Sequence, residues 1–339
     1  MILRPKSLLS RHNAPPGTAV AAPTIPVPVW LRRAVPDAQS PAEHGLEDVA
    51  LAAGAAIGAL DAVVRRQERW AGVWRQRLAL VAAAVTVGQA GRIEDEAALR
   101  DTMLLTRPGD NVGPAGRMVL AWRRLASRPT EELLSETSIA RVLQDLGLAC
   151  DDEVARDLAD DLRRLCASEG SVGMLTGAFA ISERCGLTRA VGSWLADTLL
   201  AQRLGWAHPV PVMGGEAALG MAASRSRRAA TVVAAANIDT GPDRAKGLLA
   251  AQARAALRAI DLSAELGRRA DKLLAIAPKL RAKGADAVVE RLLSDDAIVA
   301  SENIAGMSDR GLRRLFDRLV EHGAVRELSG RPTFRIYGL

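Results

Sequence analysis

Aromatic residues make up only 3% of this 339-residue chain, and cysteine occurs three times. Scarce aromatics set against heavy use of alanine argue against an extensive sheet, because strands draw on aromatic and β-branched side chains. Closely packed Ala–Leu helices are the expected architecture. Cys150, Cys166 and Cys185 lie 16 and 19 residues apart. That spacing fits no zinc motif, and an odd count excludes a fully paired disulfide framework, so a reducing, cytoplasmic setting is expected. Long apolar runs are missing too. The longest, Leu78 to Gly88, falls far short of the ~20 residues of a membrane span. Arg4, Lys6 and Arg11 open the chain, but Pro15, Pro16, Pro23, Pro26 and Pro28 break the apolar stretch that a secretory leader needs. No membrane association is expected.

What is present is a folded composition, 49% hydrophobic and 25% charged. The length suits two or three domains at roughly 100–200 residues each. Forty-five cations face 39 anions, a net charge of +6. That excess permits a polyanionic partner but is modest for so long a chain.

Residues 1–44 hold 8 of the 16 prolines and read as an extended or disordered leader with polyproline character around Pro23 to Pro28. Within it, Pro26 to Trp30 is a candidate docking segment that would lay Trp30 on the body. Residues 45–206 read as an N-terminal helical domain. Leu46, Val49, Ala53, Ile57, Leu60 and Val64 form one stripe, and Trp74, Leu78, Val81 and Val85 the next. Further helices are expected near 131–146, 152–168, 173–185 and 188–204, punctuated by Gly147, Gly170, Gly186 and Gly205. Ala207 to Val212 holds two prolines and is non-helical. Residues 207–284 form a helical middle region with a pair of Ala-rich helices and a long periodic stretch from Asp243 to Ile276. A short helix from Ala285 to Leu293 opens the last unit, 285–339.

That last unit carries the clearest pattern. Ser308 is placed to cap a helix, with Asp309 at the positive end of its dipole. Leu312, Leu315, Phe316, Leu319 and Val320 recur at helical spacing. Gly323 stands where a left-handed cap is wanted. Val325 to Leu328 and Thr333 to Tyr337 then flank Ser329-Gly330-Arg331-Pro332, a hairpin signature. The pattern is that of a winged helix-turn-helix with a small β-hairpin. At 100° per residue, Arg310, Arg313, Arg314, Asp317 and Glu321 share about one 100° sector opposite the apolar stripe, where a recognition helix carries its groove contacts. The candidate nucleic-acid-binding residues are Arg310, Arg313, Arg314, Arg318, Arg331 and Arg335, the last two on the hairpin. From Ser308 onward seven arginines face four acids, yet from Leu280 onward the excess is only one. Asp317 and Glu321 on the same face would repel phosphate, and such modules also dock protein.

Other clusters carry blander readings. Gly109 to Gly116 leads into a helix start, a geometry that holds anions, but no Lys-Ser/Thr pair follows, so a helix connection is the simpler account. Glu94, Asp95, Glu96 and Asp101 lack a histidine and cannot share one helical face, which argues against a metal site. Glu96 and Arg100 are spaced as an i, i+4 pair. His208, between Trp206 and Pro209, has no nucleophile spaced to make it a catalytic base. Arg225, Arg227 and Arg228 read as a solvated helix end, and the six tryptophans as core anchors. No catalytic residue, metal or cofactor is expected.

Glu94 to Asp101, Arg107 to Asp110, Gly113 to Arg117, Ala121 to Leu125, Arg269 to Gly284, Leu315 to Val320 and Gly330 to Arg335 together resemble the bacterial domain-of-unknown-function family numbered fourteen-oh-three. That resemblance spans most of the chain after about residue 45 and implies a bacterial cytoplasmic protein, without supplying catalytic residues. The C-terminal segment is also similar to helix-turn-helix tails of several plasmid-associated bacterial families. The expected fold is mainly α, a multi-helix body ending in a winged helix-turn-helix. The expected function is non-enzymatic binding of double-stranded DNA, with the body used for homo-oligomerisation or a protein partner. The alternative is an interaction scaffold whose winged helix docks protein.

Overall fold

The computed structural model describes residues 27–37, 44–107, 109–216, 241–331 and 333–339. The protein is mainly helical, with a small sheet near its C-terminus. The helices of the body are α1 (Val29–Ala34), α2 (Leu46–Arg65), α3 (Ala71–Gln89), α4 (Glu96–Leu105), α5 (Gly113–Ser127), α6 (Glu136–Asp145), α7 (Asp152–Ser168), α8 (Ser171–Arg184), α9 (Arg189–Leu204) and α10 (Pro242–Ile276). The tail follows as α11 (Ala285–Ser294), β1 (Ile298–Val299), α12 (Asp309–Glu321), β2 (Arg326–Glu327) and β3 (Ile336–Gly338).

Burial follows the residue pattern of each helix. In α9 every residue from Ala190 to Ala201 is buried, and α3 buries Val73, Trp74, Leu78, Leu80 and Val87 on several sides. Helices that are apolar nearly all round belong at the centre. The 35-residue α10, about 50 Å long, lies along α2 and buries Leu249, Leu257, Ile260, Leu266 and Leu273. Four tryptophans anchor this core and satisfy their indole N–H groups. Trp74 donates to the Ala259 carbonyl at 2.8 Å, Trp122 to Thr86 Oγ1 at 2.9 Å, Trp194 to the Ala121 carbonyl at 3.2 Å and Trp206 to Asp61 Oδ1 at 2.8 Å. A buried indole N–H usually finds such a partner, because leaving it unmade is costly. One connected apolar cluster runs from Leu31 through α3 to Phe316 and Leu339, so body and tail share a core.

Several local expectations are corrected. Residues 29–34, inside the expected extended leader, form α1 directly after Pro28. Docking on the body is through Leu31, 2% exposed, and Arg32, whose two Nη atoms bind Asp261 at 2.9 and 2.6 Å. Trp30 is 55% exposed and does not lie on the body, because a single helical turn aims neighbouring side chains in different directions. The helix expected at 131–146 is split into a 3₁₀ turn, Thr130–Glu132, and α6. Ser135 interrupts it by accepting from the Ser138 N–H at 3.3 Å as the cap of α6. Glu96 and Arg100 do not pair; Arg100 turns inward to Asp296. Of the Ala-rich stretch after Val212 the structure describes a 3₁₀ turn, Met213–Gly215. The remainder, with Arg225, Arg227 and Arg228, lies outside the described residues.

Candidate nucleic-acid interface

The tail is built from α12 and an antiparallel sheet. Ser308 caps α12, its hydroxyl accepting from the Gly311 N–H at 3.2 Å. Gly323, at φ +62°, reverses the chain after it, a conformation that a β-carbon would strain. Leu312, Leu315, Phe316 and Leu319 are buried, whereas Val320 is 40% exposed at the edge of the stripe. The Phe316 ring stacks on Tyr337 with centroids 4.3 Å apart, fastening the helix to β3. β3 is central: it pairs antiparallel with β1 (Ile298 opposite Tyr337) and with β2 (Glu327 opposite Tyr337). The second hairpin strand thus begins later than Thr333. Phe334 adopts φ +56°, and the ladder forms only beyond it.

The candidate arginines divide into two sets. Arg310, Arg313, Arg314 and Arg318 are exposed on α12, and among the described residues none makes an ion pair. The hairpin pair is engaged. Arg331 is bound to Asp101 of α4, and Arg335 faces Glu327 at 3.8 Å. The neighbouring Tyr337 hydroxyl, with Glu327, raises the Arg335 guanidinium above its ordinary value. The tip of the hairpin is therefore folded against the body, while the helix face is open.

The other clusters resolve into structural roles. Asp95 caps α4 through the Ala98 N–H at 2.8 Å, Glu94 pairs with Arg92, and Asp101 is the partner of Arg331. In the glycine-rich loop, Asn111 Oδ1 takes the Gly113 N–H at 2.9 Å. His208 is half-buried, and desolvation followed by the charge of Arg75 lowers its pKa.

Of the buried carboxylates that sequence reasoning did not single out, Asp197 and Asp296 lie deepest. Asp197, completely buried in α9, accepts the Met213 N–H at 3.0 and 3.1 Å, fixing the turn that follows the non-helical segment from Ala207 to Val212. Burial pushes its carboxyl well above the usual range, against the pull of the backbone N–H groups of Met213, Val212 and Gly214. Asp296, 1% exposed, binds Arg77 of α3 and, at 2.6 Å, Arg100 of α4. Burial alone would raise this carboxyl, but the charges of Arg77 and Arg100 hold it below the ordinary value. Nothing in the local sequence separates Asp296 from its half-buried neighbour Asp295.

The model of the family described as "Protein of unknown function (DUF1403)" matches residues 18–339, and the chain belongs to that family. No curated protein matches the chain.

Proposed function

We propose that this member of the DUF1403 family is a non-enzymatic bacterial cytoplasmic protein that binds double-stranded DNA through a C-terminal winged helix-turn-helix. Its helical body serves self-association or a protein partner. The observation that carries the reading is the open arginine face of α12: Arg310, Arg313, Arg314 and Arg318 stand exposed without an ion pair among the described residues. Exposed arginines on one helical face are the usual donors to phosphate and guanine edges. The strand order β1-β3-β2, with α12 between β1 and the hairpin, supports the winged form. Residues 300–308 between β1 and α12 form turns without a helix, so α11 has to serve as the first helix of the unit.

The test is duplex binding by the full chain carrying Arg310→Ala, Arg313→Ala and Arg314→Ala together. Affinity should fall, and the slope of log affinity against log salt should flatten by up to about 3 units, near 0.9 per lost phosphate contact. An unchanged affinity and slope would reject the reading.

A groove favours the alternative, a self-association scaffold. It occupies about 570 Å³ between the end of α4 and the sheet, lined by Met103, Leu105, Val299 and Phe334, with the Arg291–Glu302 pair at its edge. Phe334 is 63% exposed. Removing the tail would strip the cover from α3, so a point change is the better probe. If Phe334→Ser dissolves an oligomer seen by light scattering, and no duplex is retained on a mobility gel, the scaffold is favoured.

A further inference from the structure

The stretch from Arg268 to Lys283 holds six cations and one acid, a balance of +5 where the whole chain carries +6. Arg269 closes on Glu265 at 2.6 Å. Arg268, Lys272, Lys279, Arg281 and Lys283 are exposed, and among the described residues none of them makes an ion pair. Folded surfaces usually intersperse the two signs. This one does not.

Two contacts place the stretch against α12. Gly306 turns at φ +80° just before the cap of α12, and a β-carbon there would lie 3.2 Å from Lys283 Cγ and Cε and 3.3 Å from Cδ. The Lys283 stem therefore lies across the turn that enters the helix. Beside it, a β-carbon on Gly284 would stand 2.9 Å from the Ala305 carbonyl oxygen and 3.6 Å from Met307 Cβ. At the other end, Lys272 Nζ comes within 3.9 Å of where a β-carbon on Gly323 would lie. Between these points the chain leaves α10 through a 3₁₀ turn, Ala277–Lys279, and passes Arg281. Lysines thus bracket the two ends of α12, roughly 20 Å apart.

Attraction to the last carbonyls of α12 accounts for Lys272. It does not account for Lys283, whose stem lies at the positive end of the same dipole. A helix seated in a major groove about 12 Å wide has a phosphate strand along each wall. Phosphate contacts fix its register without reading sequence, and the compact charge of lysine suits them. We propose that Lys272, Lys279, Arg281 and Lys283 are the phosphate contacts that seat α12 on double-stranded DNA. The assignment rests on α12 being the DNA-binding face.

Salt titration of duplex binding by the full chain tests it, on two short duplexes of unrelated sequence. Lys279→Gln, Arg281→Gln and Lys283→Gln together should weaken both duplexes by the same factor. The slope of log affinity against log salt should flatten by up to about 3 units, near 0.9 per phosphate contact. The thermal midpoint should keep its wild-type value, because the three side chains are exposed and unpaired. Lys272→Gln should remove about one further unit of slope. As a control, Arg33→Gln, Arg117→Gln and Arg203→Gln, all exposed and on α1, α5 and α9, should leave the slope unchanged. An equal loss in that control would overturn the inference. So would a wild-type slope in the Lys279, Arg281 and Lys283 variant while the α12 triple variant binds weakly, and the α12 reading would then stand alone. Loss in the first variant with wild-type binding in the second would reject α12 as the DNA face and keep these residues as phosphate contacts. No duplex binding by the wild type would overturn both.

Discussion

Arginines on the body and arginines on α12 meet opposite fates. On the body surface they are mostly closed by carboxylates: Arg32 by Asp261, Arg65 by Asp61, Arg163 by Asp160 and Arg269 by Glu265. On α12, Arg313 precedes Asp317 by four residues, and Arg314 and Arg318 precede acids by three, yet none of these pairs closes. The acid-first order of Asp61–Arg65 and Glu265–Arg269 is the favourable one; on α12 only Asp309–Arg313 has it, and that pair stays open too. Order alone does not decide, since Arg291 closes on Asp295 in the reverse order. Spacing makes a pair available, and the remaining surroundings decide whether it forms. The open face of α12 is therefore a property of the folded molecule.

The sharpest way to break this contrast is at Asp296. Asp296→Ala strands Arg77 and Arg100 in the interior, and chemical denaturation should show a loss of about 3–5 kcal/mol. The pH dependence follows from the lowered carboxyl. The ionised group stabilises fully above its unfolded value of about 3.9, and that contribution drains away as the pH falls through the lower folded value. Asp296→Asn should therefore flatten the wild-type loss of stability below about pH 4.

A smaller effect is expected at the contact between body and tail. A β-carbon on Gly72 would lie 2.8 Å from Ser294 Cα and 3.0 Å from its carbonyl oxygen. Backbone cannot swing aside, so Gly72→Ala should destabilise by about 1–3 kcal/mol in thermal or chemical unfolding. Retained stability would mean that α11 shifts freely on α3, and the seam would then be looser than its contacts imply.

The smallest change should come from the hairpin tip. Asp101→Ala frees Arg331, half-exposed in its ion pair. Stability should move by no more than about 1 kcal/mol, as for other exposed pairs. Duplex affinity should rise if the released arginine reaches phosphate, and a fall would instead show that the docked hairpin is the binding form.

Much of the fold was legible because periodicity and capping are local. The helix expected over 152–168 forms over those residues, and Ser308 and Gly323 bound α12 as their chemistry dictates. Leu31 was not legible as the docking residue, because a one-turn helix has no periodicity to read. The site was half legible. Arg310, Arg313 and Arg314 are exposed as their positions opposite Leu312 and Leu315 required, and Arg318, on the flank of the stripe, is exposed as well. Engagement of Arg331 by Asp101 joins residues 230 positions apart, and no local pattern announces it.

By itself, the sequence determined a mainly helical chain, its buried stripes and the capped helix near its end. These depend on side-chain spacing and backbone preference within a few residues. The tertiary structure alone decided which charges are spent. Arg77, Arg100 and Asp296 look like ordinary surface residues in the sequence, but α3, α4 and the start of the sheet bring them together where water is excluded. A charge there is governed by the partners that packing supplies.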